Sequence, residues 1–357
     1  MLFLIPDLSG GGAERVFVHL MNNIDRKVFE VHLCVFKNNG PYFSELTNDI
    51  VITNMQTRLR GSVPKIARCI NRIDPDVVLC TIFFMNLAVG FARPLVRHRN
   101  CRYLARESSI PSERKKIFTK LSNKDILYRI AYQFFDYLIC QSEDMLEDVH
   151  SLYRIPRARL IKINNQVDIN LLRSKAKSSV GKWRIPGKVN LLSVGRLHPA
   201  KGYDLLIKAL ALASSRKLHI HILGTGLEEQ RLKNMARELG VADCISFHGF
   251  QENPYPYMAQ ADGFVLTSRY EGLPNAMLEA LALGCPAIAF KCKGGITEIV
   301  KGGKNGFLLD LGDVKSLAAM LDSYRYLDLD RGYIAGSVAD KFDLKNIIRQ
   351  YEQLFLR

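Results

Sequence analysis

No stretch of this chain approaches the roughly 20 consecutive apolar residues that span a bilayer. The longest apolar run, residues 82–92, is interrupted by Asn86 and Gly90, which suits a helix packed on a sheet. Met1 leads straight into Leu2, Phe3, Leu4 and Ile5 with no basic segment before them, which argues against a secretory signal. The eight cysteines form no C-x-x-C pair and mostly sit inside apolar runs. They read as buried free thiols of a reducing compartment. The dinucleotide fingerprint G-x-G-x-x-G is also missing. Gly10, Gly11 and Gly12 follow the first apolar stretch, but the third glycine of the motif does not come, and the second stretch runs into Lys37 rather than an acid. That argues against an NAD site. The chain has neither an internal repeat nor a low-complexity segment.

What is present fits two globular domains: 357 residues, 48% of them hydrophobic and 24% charged. The net charge of +15 is uneven, with 11 Lys/Arg against three Asp/Glu in residues 91–130. Arg93, Arg97, Arg99, Arg102, Arg114, Lys115, Lys116, Lys120 and Lys124 mix there with Ile117, Phe118, Leu121, Ile126 and Leu127. Mixed basic and apolar side chains suit an anionic membrane surface. A solvated basic face is the plainer reading. No nucleic-acid motif accompanies the charge, so no nucleic-acid partner is expected.

Strand and helix patterns alternate along the chain. Strands are expected at 2–5, 31–36, 50–55, 76–80, 102–105, 136–140 and 159–163, with helices at 13–22, 63–73, 84–96, 125–135 and 143–150. Residues 173–188 are polar and read as a linker. The alternation then restarts, with strands at 189–194, 218–223, 244–247, 263–267, 286–290 and 306–309. A last helix is expected over 343–355, where Leu344, Ile347, Ile348, Tyr351 and Leu354 fall at helical spacing. The expected organisation is a first domain at 1–172, a linker at 173–188, a second domain at 189–340 and a C-terminal helix at 341–357 that crosses back to the first. Such βαβ alternation predicts α/β, doubly wound parallel sheets, which bind ligands beyond the carboxyl ends of their strands. Two such domains facing each other would leave a cleft between them.

One stretch carries the most chemistry: Ser268, Arg269, Tyr270, Glu271, Gly272, Leu273, Pro274, Asn275, Ala276, Met277, Leu278, Glu279, Ala280. It reads as loop then helix, following the strand 263–267. The amide groups at a helix start favour an anion such as phosphate. Glu271 and Glu279, eight residues apart, are suited to accept hydrogen bonds from sugar hydroxyls on either side. Sugar, phosphate and sugar in a row describe a nucleotide-sugar. A surface helix with a capping acid is the plainer alternative.

These residues resemble a known family. Gly11, Gly12, Ala13, Glu14 and Arg15, then Gly195 and Arg196 with Lys201 and Gly202, then the 271–280 stretch, then Gly284, Cys285 and Pro286, then Gly294 and Gly295 with Glu298, look like the retaining GT-B glycosyltransferases of family 4. The likeness is to bacterial enzymes that extend lipid-linked oligosaccharide, O-antigen or capsule units. It covers nearly the whole chain. The resemblance implies two facing Rossmann-like domains and a nucleotide-sugar donor, most often UDP-linked, held mainly by the second. Arg196 and Lys201 would neutralise the diphosphate, Glu271 would contact the donor sugar, and Glu279 would hold the ribose. The backbone around Asn275 and Ala276 would cradle phosphate, with Gly195 and Gly224 beside it and Gly249 and Phe250 near the base. Gly11 and Gly12 would close on the donor from the first domain. No metal or other cofactor is implied. The D-x-D candidates, Asp74–Pro75–Asp76 and Asp328–Leu329–Asp330, read as structural.

Two departures stand out. The first-domain loop where many relatives carry a histidine reads Leu104, Ala105, Arg106, Glu107, Ser108, Ser109, so Arg106 and Glu107 become the acceptor-side candidates. The usual Asn-Gly-Val-Asp turn is here Asn165, Gln166, Val167, Asp168. The expected function is a metal-independent, retaining transfer of a hexose or N-acetylhexosamine to a lipid-linked saccharide or polysaccharide. The expected place is the cytoplasmic face of the cell membrane, docked through 91–130. A nucleotide-sugar epimerase and a non-catalytic binding module are the alternatives.

Overall fold

The structure, a computed structural model, describes residues 1–97, 100–117, 125–215, 217–324 and 329–357, and of 115–117 the backbone alone. Arg99, Phe118, Lys120, Leu121, Lys124 and Asp328, and the side chains of Lys115, Lys116 and Ile117, therefore lie outside the described residues. The chain divides into two compact units. The first is Met1–Gln166 with Lys345–Arg357, and the second is Val167–Leu344.

Among the described residues, seven strands make the first sheet: β1 Leu2–Ile5, β2 His32–Val35, β3 Val51–Asn54, β4 Val77–Thr81, β5 Arg102–Arg106, β6 Tyr137–Cys140 and β7 Leu160–Lys162. They pair in parallel in the order β3-β2-β1-β4-β5-β6-β7. The order reverses between β1 and β4, so the loops after those two strands flank the switch point. Central strands such as β1 and β4 are buried, and apolar apart from Thr81 at the end of β4, as a sheet covered on both faces requires. The edge strand β3 is largely exposed. Helices α1 Gly12–Asn23, α2 Ser62–Ile73, α3 Phe83–Ala92, α4 Pro111–Ile117, α5 Asp125–Tyr132 and α6 Glu143–Tyr153 cover the sheet. α3 stops at Ala92 because Pro94 turns the chain into a short 3-10 segment.

The second unit opens with α7 Ile169–Lys175. Its strands are β8 Val189–Val194, β9 Leu218–Leu223, β10 Ile245–Phe247, β11 Gly263–Leu266, β12 Ala287–Lys291 and β13 Gly306–Asp310, in the parallel order β10-β9-β8-β11-β12-β13. Here the switch point lies between β8 and β11. The helices are α8 Tyr203–Leu212, α9 Glu229–Glu238, α10 Tyr255–Gln260, α11 Asn275–Ala282, α12 Ile296–Ile299, α13 Val314–Ser323 and α14 Arg331–Phe342. Two hydrophobic clusters fill the two faces of the sheet, with Phe264 and Leu266 of β11 in one and Val265 in the other, as the period of two demands. α15 Leu344–Leu356 then returns the chain to the first unit.

The structure corrects several expectations. Residues 173–188 are not a linker but part of the second unit. Trp183 is buried there, 4.6 Å from the His221 ring and 5.3 Å from Tyr257, and Arg184 donates to Asp262 at 2.9 Å. The polar composition misleads because α7 and one tryptophan anchor the segment. α13 and α14 have no counterpart in the sequence reading. Both carry a legible start: Asp313 caps α13 through Ser316 N, and Asp330 caps α14 through Gly332 N and Tyr333 N. Asp74 closes α2 in the left-handed conformation. Cys34 on β2 and Cys69 on α2 meet as a pair with Cα atoms 7.8 Å apart, a span longer than a relaxed disulfide bridges. The other six cysteines are free and buried.

Candidate active site

The switch point of the second sheet gathers the loops after β8 and β11. Backbone bonds stitch the carboxyl edge together. Gly195 N donates to Leu223 O (2.9 Å), Leu197 N to Thr225 O (2.9 Å) and Gly224 N to Gly249 O (2.7 Å). On the other side of β8, Arg269 N donates to Ala200 O (2.8 Å) and Thr267 Oγ1 to Lys201 O (3.2 Å). Two glycines permit this closeness. Gly202 (φ +64°) faces the Thr267 carbonyl oxygen and Gly294 (φ +129°) that of Glu271, and a Cβ at either would collide with it.

The packing brings Lys201 and Glu271 into direct contact, Nζ to Oε1 at 2.7 Å, while Ser268 Oγ donates to the same oxygen at 2.6 Å. Glu271 is 9% exposed. This carboxylate is held by a cation and a hydroxyl at the place where two loops part, a geometry suited to charge-assisted bonding of a polar ligand. Arg196 follows β8 and is exposed. His198 Nδ1 accepts from Ala200 N (3.2 Å), which puts the proton of a neutral ring on Nε2. Burial and the charge of Arg196 push its pKa down. α11 starts after Pro274 with no side-chain cap, so Asn275 and Ala276 form its first turn, and Glu279 lies one turn in, largely buried. Gly224 follows β9, and Gly249 and Phe250 follow β10, with Phe250 57% exposed.

Thus Gly195, Arg196, Lys201, Gly224, Gly249, Phe250, Glu271, Asn275, Ala276 and Glu279 all belong to the carboxyl edge of one sheet. Gly11 and Gly12 lie in the first unit, after β1, where Gly12 begins α1. A neighbouring segment braces that loop: Leu8 N donates to Asn39 O (3.2 Å) and Arg15 Nε to Tyr42 Oη (2.9 Å).

Arg106 and Glu107 are a correction. Both are fully buried, so neither side chain presents itself to an acceptor. Arg106 closes β5 and points inward, donating to Asn165 Oδ1. Thr81 Oγ1 and Asn86 Nδ2 both donate to its carbonyl at 3.2 Å. Glu107 accepts from Tyr132 Oη and lies 3.7 Å from Arg114. Burial pushes its pKa up, against the opposing charge of Arg114. The local pattern R-E-S-S looks like a polar loop, and only the distant partners Tyr132 and Asn165 show that its first two residues are interior.

Sequence reasoning also missed a pair beside the site. Arg269 donates to Asp204 through both terminal nitrogens, at 2.9 and 2.7 Å. Its partner is 65 positions away, so no local pattern reveals it. Ile82, after β4 at the first switch point, has φ +73°, an outlier for a β-branched residue, and nothing in its flanking sequence announces it.

Two doubly wound parallel α/β units on one chain, with a cation–carboxylate pair at a switch point, define the GT-B class of fold. The family model described as Glycosyltransferase Family 4 matches residues 10–171, and the one described as Glycosyl transferases group 1 matches residues 177–325. The chain belongs to these glycosyltransferases. It is 29% identical, over 88% of its length and 86% of the relative's, to the N-acetylgalactosamine-N,N'-diacetylbacillosaminyl-diphospho-undecaprenol 4-alpha-N-acetylgalactosaminyltransferase of Campylobacter jejuni. It is 24% identical to the lipopolysaccharide core biosynthesis glycosyltransferase LpsE of Rhizobium meliloti, over 87% of this chain and 85% of that one. Among solved structures, Anabaena HepE in complex with UDP-glucose has the same fold, with a TM-score of 0.82 at 21% identity over 99% of this chain and 98% of that one.

Proposed function

We propose that this glycosyltransferase transfers a hexose or N-acetylhexosamine, with retention, from a UDP-sugar to a lipid-linked saccharide or polysaccharide. The observation that carries the reading is the Lys201–Glu271 pair at the switch point of the second sheet. The leaving group is a nucleoside diphosphate, so the protein's task is to position the reactants and to stabilise charge. Arg196 and Lys201 supply the positive charge at the diphosphate, and the reading needs no metal. Glu271 accepts from donor-sugar hydroxyls, the amides at Asn275 and Ala276 face phosphate, and Glu279 holds the ribose. Gly195 lies beside the phosphates, Gly224 lets the Gly195 carbonyl pack directly against it, and Gly249 and Phe250 lie against the base. Gly11 and Gly12 stand at the carboxyl edge of the first sheet, where α1 begins. In the front-face route, the leaving phosphate oxygen takes the acceptor hydroxyl's proton as the new glycosidic bond forms. HepE bound to UDP-glucose supports the donor class, and the Campylobacter relative, named for a diphospho-undecaprenol substrate, supports the acceptor class.

The test is transfer from a panel of UDP- and GDP-sugars to a matched lipid-linked acceptor. Lys201→Ala and Glu271→Ala are each expected to lower turnover about 10²–10³-fold, EDTA to leave it unchanged, and the product to keep the donor's anomeric configuration. Near-normal turnover from either variant overturns the assignment. Epimer formed without acceptor would favour an epimerase.

A second observation concerns residues 91–130. Much of their charge is used internally. Arg106 and Arg114 are buried, Arg93 donates to Asp136 (3.2 Å), and Arg102 donates to Phe355 O (2.9 Å). α5, however, exposes Ile126 (63%), Leu127 (40%) and Ile130 (45%) beside Arg129. That face favours docking on an anionic inner leaflet. Ile126→Asp with Arg129→Glu should abolish co-sedimentation with anionic liposomes; unchanged binding would leave a plain surface helix.

A further inference from the structure

Arg269 makes four bonds to the segment that carries Lys201. Its backbone N donates to Ala200 O at 2.8 Å, Nη1 to Pro199 O at 2.6 Å and to Asp204 Oδ1 at 2.9 Å, and Nη2 to Asp204 Oδ2 at 2.7 Å. Asp204 lies in the first turn of α8, three residues after Lys201, and is 9% exposed. Arg269 stands two residues before Glu271. Each half of this pair therefore borders one half of the Lys201–Glu271 pair, across the same parting of loops.

We propose that Arg269 and Asp204 are a positioning pair that fixes the separation of Lys201 from Glu271. This rests on the donor-binding reading of those two residues. Backbone bonds and Gly202 already hold the loops at one point, but a single line of contact leaves them able to rotate about it. A bidentate guanidinium–carboxylate fork fixes angle as well as distance, and lysine cannot reproduce it. Burial alone would raise the Asp204 pKa, yet the Arg269 hydrogen bond and charge outweigh it and hold the carboxyl below its usual value. The pair is therefore ionised throughout the working range of pH. Misplacing a catalytic group by about 1 Å costs on the order of 10²-fold in rate, so a fork remote from the substrate can matter to turnover.

The experiment is a double-mutant cycle on steady-state transfer from UDP-glucose, or the best donor of the panel, run well below each variant's melting temperature. Arg269→Lys keeps the charge and loses the fork. It should lower kcat about tenfold with donor KM within about twofold, with kcat counted per folded molecule by circular dichroism and UDP-binding stoichiometry so that a smaller active fraction is not mistaken for the effect. Arg269→Ala should cost about 10²-fold in the wild-type background and less than about threefold when combined with Lys201→Ala, because the pair acts through Lys201. The swap Asp204→Arg with Arg269→Asp should recover part of the loss of either single charge reversal. Wild-type kcat in Arg269→Lys, or losses that simply add in the cycle, overturns the proposal. Should Arg269→Ala not fold, Asp204→Asn takes its place in the cycle. The two readings fail separately: an active Lys201→Ala sinks donor binding, whereas a crippled Lys201→Ala beside an unaffected Arg269→Lys sinks only the positioning pair.

Discussion

Gly294 shows how much one missing methyl group can decide. It sits at φ +129° against the carbonyl of Glu271, and Gly295 N donates to Gly272 O at 2.8 Å just beyond it. Alanine there meets both the unfavourable conformation and the collision. Gly294→Ala is expected to destabilise the protein by about 1–3 kcal/mol and to displace Glu271, so thermal unfolding and transfer should both suffer. Gly303, also at positive φ but with open space where its Cβ would be, is the control: alanine there should cost stability and leave turnover alone. At this scale the sequence is legible where function is local. Glu271, Gly272 and Pro274 announce a loop before a helix, and the structure puts them in one. It is silent where function is shared between distant positions. Nothing near Ser268 says that its hydroxyl donates to the same Glu271 oxygen as Lys201, and nothing near Arg106 says that it turns inward.

The strand β9 carries a different kind of information. His219 and His221 lie two apart and so share a face. His221 Nε2 meets Asn190 Oδ1 at 3.0 Å, its Nδ1 meets His248 Nε2 at 2.9 Å, and His219 Nε2 meets Ser246 Oγ at 2.8 Å. Burial first, and then the neighbouring imidazoles, pushes His221 down to about 3. Burial, with the charge of Lys188, pushes His219 down to about 4, and burial lowers His248 as well. Arg184 adds its charge against His221. The unfolded chain binds protons at these rings near pH 6.5 and the folded one does not. Their contribution to stability is therefore complete above about pH 6.5 and is lost as pH falls from there through about 4 for His219 and toward about 3 for His221. Melting temperature should drop over that window, and His221→Asn should flatten the drop; an unchanged slope would show that other groups set it. The strand was readable from its apolar alternation. The histidine chain was not, because it joins β9 to β10 and Asn190 across the sheet. Helices followed the same rule: α1 and α11 are announced by glycine and proline, while α7 hides in a polar stretch that only its packing against α10 and α11 explains.

At the scale of the whole molecule, the first unit needs the end of the chain. Tyr351, Leu354 and Phe355 of α15 are buried. Phe355 lies 5.9 Å from the Phe29 ring, Asp25 N donates to Glu352 Oε1 at 2.8 Å, and Arg102 Nη1 donates to the carbonyls of Leu354 and Phe355. Removing residues 345–357 should expose this apolar surface and selectively unfold the first unit, seen as protease cuts within 1–166 while 167–344 stays protected. Equal protection of both would show that α15 is dispensable. Two domains and a final amphipathic helix were legible from alternation and spacing; the boundary at Gln166 and Val167 was not, because the chain crosses there without a change of composition. During synthesis this arrangement imposes an order. The first unit leaves the ribosome early, yet it waits for all of Val167–Leu344 to be translated before its last helix exists. At about 5–20 residues per second that wait is on the order of ten seconds or more, during which all seven strands of the first sheet exist but the surface that meets Tyr351, Leu354 and Phe355 has no helix over it.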